Sequence, residues 1–243
     1  MKTLEEKAKE LRLKTLELSV KKGDAHLGGC FSEIEILVSL YNVIMKEEDK
    51  FILSKGHASH PLYLLLEEKG YSPKICAHPE IDLNNKVYCT TGSLGHGLPI
   101  GAGMALARKF KKQKGEIYVL MGDGECQEGT TWETLPLAVK YELDNLTIIV
   151  DKNKLQALEE TDNVSKMNLR RIFTSFGCYT LEVNGHSFQE LITSLKEKNY
   201  GQPKIIIANT IKGKGIKFME NNSAWHARVP NDEELKNAYK ELR

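Results

Sequence analysis

Apolar and polar positions change period along this chain, and the change divides it into two parts. Over the first twenty residues Leu4, Ala8, Leu11, Thr15 and Leu18 recur at helical spacing, which predicts one amphipathic helix. Gly23-Asp24-Ala25-His26-Leu27-Gly28-Gly29 predicts a flexible polar turn after it. Ser32 followed by Glu35 has capping-box spacing, so a second helix is expected to open there and run to about Met45. Phe51-Ile52-Leu53 is a short apolar piece running into Ser54-Lys55-Gly56-His57, and a third helix is expected over Pro61 to Glu68. Thr91 to Gly97 forms a second glycine-rich turn. It precedes a Gly- and Ala-rich helix, Pro99 to Lys109, suited to close packing.

From Ile117 onward the pattern alternates. Apolar runs at 117–121, 146–150, 178–183 and 204–209 read as strands; between them, helices are expected near 131–141, 167–176 and 187–197. Such alternation predicts an α/β fold, a doubly wound and mostly parallel sheet with helices on both faces. A surface helix is expected from Asp232 to Leu242, capped by Asn231 or Asp232. With no internal repeat, low-complexity segment or long linker, residues 1–243 read as a single domain.

Composition narrows the function classes. Hydrophobic residues make up 41% of the 243 and charged residues 28%, ordinary for a water-soluble domain. A formal net charge of +1 argues against a general nucleic-acid binder. The local run Lys109, Lys111, Lys112 and Lys114 reads as a solvated helix end. Five cysteines without a Cys-x-x-Cys pair argue against a disulfide framework or zinc site. Met1 to Lys22 is charged every few residues, unlike a signal peptide, and no stretch is long enough to span a membrane. A cytoplasmic, reducing setting is the expectation.

The candidate chemistry begins with Gly122-Asp123-Gly124 and with Asn153, each just past an apolar run. If the two strands are parallel neighbours, both side chains emerge at one sheet edge. One carboxylate and one amide oxygen suit Mg²⁺, which completes its octahedron with water and phosphate oxygens. The pair therefore suggests a metal-bridged diphosphate.

These residues form part of a larger set. Leu-Ser-Lys-Gly-His-Ala (53–58), Thr-Gly-Ser-Leu-Gly-His-Gly-Leu (91–98), Gly-Asp-Gly-Glu-Cys-Gln-Glu-Gly (122–129) and Lys-Gly-Lys-Gly-Ile (212–216) occur in that order. Together they make nearly the whole chain, to about Leu235, resemble the thiamine-diphosphate-binding half of transketolase. The resemblance implies metal ligation by Asp123, Asn153 and the backbone carbonyl of Leu155. It implies cofactor contacts from His26, His57, Gly92, Ser93, Leu94, Gly124, Glu125, Asn153 and His226. It also places His26, His78 and His226 near the reacting centre, and Glu128 at a subunit junction facing the partner's activating glutamate. His96 stands where many relatives carry glutamine. His60 and His186 gain nothing from the resemblance and read as structural.

The pyrimidine-binding and C-terminal domains of transketolases have no counterpart in these 243 residues. The resemblance thus implies the N-terminal subunit of a split transketolase, inactive alone. Its partner would be a separate C-terminal subunit, in an assembly with two copies of each, and its substrates sugars or sugar phosphates. The implied reaction is transfer of a two-carbon ketol unit from a ketose to an aldose through thiamine diphosphate and Mg²⁺. Two other readings stand beside it: a related thiamine-diphosphate enzyme acting on a specialised sugar or a 2-oxo acid, and a non-catalytic scaffold. The α chain of a 2-oxo acid dehydrogenase shares the metal pair but lacks the histidine-bearing turns. Three departures from the family pattern bear on the site. The segments before Phe51 and between Tyr71 and His78 are short, which is expected to pare down the substrate channel. Leu27 replaces a proline and Asp24 a serine, which is expected to loosen His26. Cys30 reads as a small packed side chain.

Overall fold

Five apolar runs become strands: β1 (Lys50–Leu53), β2 (Ile117–Gly122), β3 (Leu146–Lys152), β4 (Tyr179–Asn184) and β5 (Lys204–Asn209). The computed structural model, which describes residues 2–23, 26–157 and 159–242, sets them in the order β1-β2-β3-β5-β4. Every neighbouring pair is parallel. Phe51-Ile52-Leu53 is thereby recruited as an edge strand.

The period-2 alternation of each strand sorts its side chains between two cores. Phe51, Leu53, Tyr118, Leu120, Ile149, Ile206 and Ala208 face one side. They meet α1 (Leu4–Lys22), α3 (Ile34–Ser39), α4 (His60–Glu68) and α9 (Phe188–Lys196). Ile52, Val119, Met121, Ile148, Val150, Ile205 and Ile207 face the other. There they meet α5 (Gly97–Phe110), α6 (Gly129–Lys140) and α8 (Leu169–Ser175). Strands buried on both faces explain why the runs read as continuously apolar. The expected close packing of the Gly/Ala-rich helix is present: a Cβ at Gly101 would lie 2.4 Å from Val119 Cγ2.

A third cluster joins the C-terminal half of α1 and the short α2 (Leu27–Ser32) to α10 (Asp232–Leu242), around Trp225 and Phe31. Asn231 caps α10, its Oδ1 accepting from the backbone of Glu233 and Glu234. A capping box of Thr3 and Glu6 opens α1, and Gly23, at φ 66°, closes it. One further turn of helix, α7 (Thr161–Val164), lies between β3 and α8.

The second helix differs from its expectation. It begins at Leu27, not after Ser32, breaks at Glu33, resumes as α3 and ends in a π-helical stretch over Leu40–Ile44. Ser32 does not cap it: the hydroxyl donates to Gly29 O at 3.0 Å and to Asp151 Oδ2 at 2.6 Å. Gly28 and Gly29, which locally read as a turn, are helical and buried because Lys212 and His57 pack against them. Asp24 and Ala25 lie outside the described residues.

Candidate functional site

The strands point their carboxyl ends at one edge, where ligands collect in open α/β sheets. Past β1 come Lys55 and His57; past β2, Asp123 and Gly124; past β3, Asn153 and Leu155; past β5, Thr210 and Lys212. The register pairs Gly122 with Asp151, so Asp123 and Asn153 do emerge from adjacent parallel strands. They line a cleft of about 350 Å³ together with Leu155, Gly124, Glu125, Gly92, Leu94, Glu128 and four histidines, His26, His57, His78 and His226.

The histidine rings form one group. His26 lies with its ring centre 5.4 Å from that of His57, 6.1 Å from His78 and 5.2 Å from His226; His57 and His226 are 5.6 Å apart. Burial first, then the nearby Lys55, His26, His226 and Lys212, hold the His57 pKa well below the usual imidazole value. Burial and Lys212 bring that of His226 down to about 4. Both rings are therefore neutral at physiological pH. The Lys212 ammonium lies 3.1 Å from His226 Nδ1, which fixes that nitrogen as the acceptor and Nε2 as the N–H.

Asp123 is buried. Its Oδ1 accepts from Gly124 N at 3.0 Å, and its Oδ2 from Lys154 N at 2.8 Å and Thr161 Oγ1 at 3.2 Å. Burial, with the Asp151 charge adding, pushes its pKa up to about 6. Asn153 Oδ1 accepts from Leu155 N at 3.1 Å. Lys212 donates to the carbonyls of Leu155 and Gln156 at 3.2 and 2.8 Å, and burial lowers its pKa to about 8. The expected donor set, one carboxylate, one amide oxygen and one carbonyl, consists of the hard oxygens that Mg²⁺ takes. Among the described residues there is no group of three or more His, Cys, Asp or Glu that could hold a metal ion. Glycines let the side chains of the cleft wall approach closely: a Cβ at Gly124 would lie 2.9 Å from Gln156 Cγ, and one at Gly92, at φ 135°, 2.9 Å from His78.

Not every expected residue turns to the cleft in the same way. Glu125 lines it, but its carboxylate ties the walls together, accepting from Ser54 Oγ, from Gly95 N at 2.8 Å and from Gly122 N at 3.2 Å. Glu128 is exposed at the cleft wall. Ser93 and His96 are exposed and outside the lining set, with Ser93 Oγ 3.5 Å from His96 Nδ1. His60 is buried against Ser19 Oγ at 2.7 Å. His186 bridges Glu35 and Ile211 N. Both are structural, as read.

Leu27 is fully buried, and the His26 carbonyl accepts the first hydrogen bond of α2 from Cys30 N at 3.0 Å. One expectation is corrected. The short segment before Phe51 does not border the cleft, because it precedes β1 and the cleft lies past that strand's other end. It lines instead a hollow with Tyr41, Tyr71 and Tyr88. The Tyr71–His78 segment does reach the cleft, through His78. Lys55 and Lys212 carry no role in the reading of the sequence. Their signal lay in the 53–58 and 212–216 motifs, which contain them.

Fold and cleft define a doubly wound α/β domain with a polar, histidine-rich cleft at the carboxyl edge of its sheet. Residues 5–242 match the family described as transketolase, thiamine diphosphate binding domain, and the chain belongs to that family. It is 35% identical to one of the subunits of the apulose-4-phosphate transketolase of Phocaeicola vulgatus, over 99% of this chain and 94% of that protein. It is 34% identical to the 6-deoxy-6-sulfo-D-fructose transketolase subunit SqwG of Clostridium sp. (strain MSTE9), over 98% and 96%. The transketolase of Campylobacter jejuni superposes with a TM-score of 0.89 at 28% identity, covering 100% of this chain and 43% of that one. No helix among the described residues is long and apolar enough to cross a membrane.

Proposed function

We propose that this chain is the diphosphate-holding subunit of a two-polypeptide transketolase. It would move a two-carbon ketol unit from a ketose to an aldose with thiamine diphosphate and Mg²⁺ or another divalent cation. The observation that carries this is the convergence, in one cleft, of Asp123, Asn153 and the Leu155 carbonyl with four histidines and Lys212. The two subunit relatives are matched over nearly their full lengths, which supports the split arrangement.

Asp123, Asn153 and the Leu155 carbonyl would hold the cation, and Lys212 and His57 the diphosphate oxygens, while the Gly124 N–H is taken by Asp123 Oδ1. Bound thiamine diphosphate supplies a nucleophilic carbon and an electron sink for the two-carbon fragment. His57 and His226, kept neutral by their surroundings, can offer an N–H without adding charge, and His26 and His78 stand where a sugar's hydroxyl protons can be moved. The remaining cofactor wall and the activating glutamate come, in this reading, from a separate C-terminal subunit with the pyrimidine-binding domain. It meets this chain at Glu128, in an assembly with two copies of each. Residues 1–243 serve as one domain, in the cytoplasm, with no nucleic-acid or membrane partner.

The two relatives are named for ketoses bearing a terminal phosphate or sulfonate. Of the two lysines in this cleft, Lys55 is held by Asp151 and Lys212 is assigned here to the diphosphate, which leaves neither for a second anion. We therefore assign the grip on a sugar's terminal anion to the partner. Calorimetry on the reconstituted pair tests the reading: thiamine diphosphate uptake is expected to require a divalent cation and to vanish in Asp123→Ala. Uptake without metal, or unchanged in the variant, overturns it. Ketol transfer by the isolated chain would overturn the split.

A further inference from the structure

Beneath the cleft, two carboxylates face one ammonium. Lys55 is 1% exposed, its Nζ ion-paired with Asp151 and 3.1 Å from Glu33 Oε2; both acids are fully buried. They are served unequally. Asp151 also accepts from Ser32 Oγ at 2.6 Å and from Thr210 Oγ1, whereas neither Glu33 oxygen receives a well-directed hydrogen bond. A buried carboxyl group so placed is costly as an anion and far less so as an acid. Burial favours the acid form, Lys55 opposes it and Asp151 reinforces it. Lys55 and Asp151 are the charged groups that face Glu33. Glu35, two residues on, is taken up by Arg12 and His186. Lys55 and Gly29, whose carbonyl Lys55 also holds at 2.9 Å, both line the cleft, so Glu33 stands one side chain away from the ligand.

We propose that Glu33 is a proton-controlled charge under the diphosphate cleft. As a carboxylic acid it leaves Lys55 and Asp151 a balanced pair; on ionisation it adds one negative charge that repels an anionic ligand. This rests on reading the cleft as a diphosphate site. Linkage then requires the converse: an anion entering the cleft draws a proton from solvent onto Glu33.

The test is calorimetric titration of the wild-type chain and Glu33→Gln with inorganic diphosphate in the presence of Mg²⁺, from about pH 6 to about pH 9. The ratio of wild-type to variant Kd is expected near unity at the acid end and about three- to tenfold at the alkaline end. Ionisations of Lys212 and of diphosphate itself occur in both titrations and cancel in the ratio. A constant ratio overturns the proposal and leaves the cleft reading standing; no binding by either protein at any pH overturns both. Should Glu33→Gln fail to fold, NMR of the wild-type chain with ¹³C-labelled glutamate carboxyls reads the group directly. One carboxyl is expected to titrate far above the others and to move higher with diphosphate. If none titrates above the ordinary range, the proposal fails.

Discussion

Glu33 and Glu35 sit two residues apart at one helix junction, both withdrawn from water, and they behave in opposite ways. Glu35 is answered on both oxygens. Arg12 donates to it at 2.6 and 2.7 Å, and His186 Nδ1 lies 3.0 Å from Oε2. Burial opposes its charge, but the His186 hydrogen bond and the Arg12 guanidinium hold its pKa below the usual value. His186 Nε2 accepts from Ile211 N at 2.8 Å, so Nδ1 carries the proton that Glu35 receives, and the network secures the loop that presents Lys212. Glu33 shares its ammonium with a better-served competitor, and its pKa rises. Burial is common to both acids; the supply of donors decides the outcome.

Removing Glu35 is the most severe way to break this comparison. Glu35→Ala leaves the Arg12 guanidinium buried with Lys214 O at 2.9 Å and a distant Phe31 O at 3.5 Å. An uncompensated buried charge costs about 3–5 kcal/mol. Urea unfolding should show that loss at neutral pH. A loss under about 1 kcal/mol would mean that Glu35 contributes no more than a typical surface group.

Glu33→Gln should act in the other direction, and only above a certain pH. The folded-state pKa of Glu33 is raised, to about 8 from 4.5, so its favourable state is the protonated one. Native stability is therefore whole below the unfolded value and falls as pH rises from 4.5 through about 8. The glutamine variant lacks that fall. It is expected to match wild type at acid pH and to be more stable by a few kcal/mol at about pH 9, by unfolding midpoints across the range. A difference that does not change with pH would make Glu33 a fully paired anion like Glu35.

Lys212 tests whether the supported loop acts on ligand. Lys212→Met keeps the packing of the stem on Gly28 and removes the ammonium that serves Leu155 O, Gln156 O and His226. Losing a charged hydrogen-bond donor costs about 1.5–3 kcal/mol, or roughly 10- to 100-fold in affinity for thiamine diphosphate. His186→Gln, two contacts away, should cost less. If it costs more, the loop and not the ammonium dominates.

Much of this arrangement was legible in the sequence. Strands buried on both faces leave uninterrupted apolar runs, so β2, β3 and β5 were readable, while the partly exposed edge strand β4 carries a mixed run; Asp123 and Asn153 sit where the β2 and β3 runs end. The short β1 was not recognised as a strand, since four residues at a sheet edge carry little periodicity. The helix start at Leu27 was missed because Gly28-Gly29 carries a local turn signal. The packing of Lys212 and His57, far along the chain, overrides it. The Ser32–Glu35 spacing imitated a capping box, while both side chains are spent on tertiary partners, Asp151 for one and Arg12 with His186 for the other. Buried charge networks join residues distant in sequence, and Lys55 pairs with Asp151 across 96 positions. No local pattern announces such a pair.

The smallest effect expected is at Ser93, an exposed polar group outside both buried networks. Its hydroxyl lies 3.5 Å from His96 Nδ1, at the limit of a hydrogen bond, and that nitrogen lies closer, at 3.1 Å, to the Leu94 carbonyl. Neither Ser93 nor His96 lines the cleft. Ser93→Ala should therefore change stability by less than about 0.5 kcal/mol and cofactor uptake by the reconstituted pair by less than about twofold. The neighbouring Gly92→Ala is the contrast, since its φ of 135° and a Cβ 2.9 Å from His78 put strain directly on the cleft wall. A tenfold loss of uptake in Ser93→Ala, with stability unchanged, would show that the 91–97 loop turns this hydroxyl inward on binding. The cleft would then be shaped by its ligand and partner, and not only by the buried charges that separate Glu33 from Glu35.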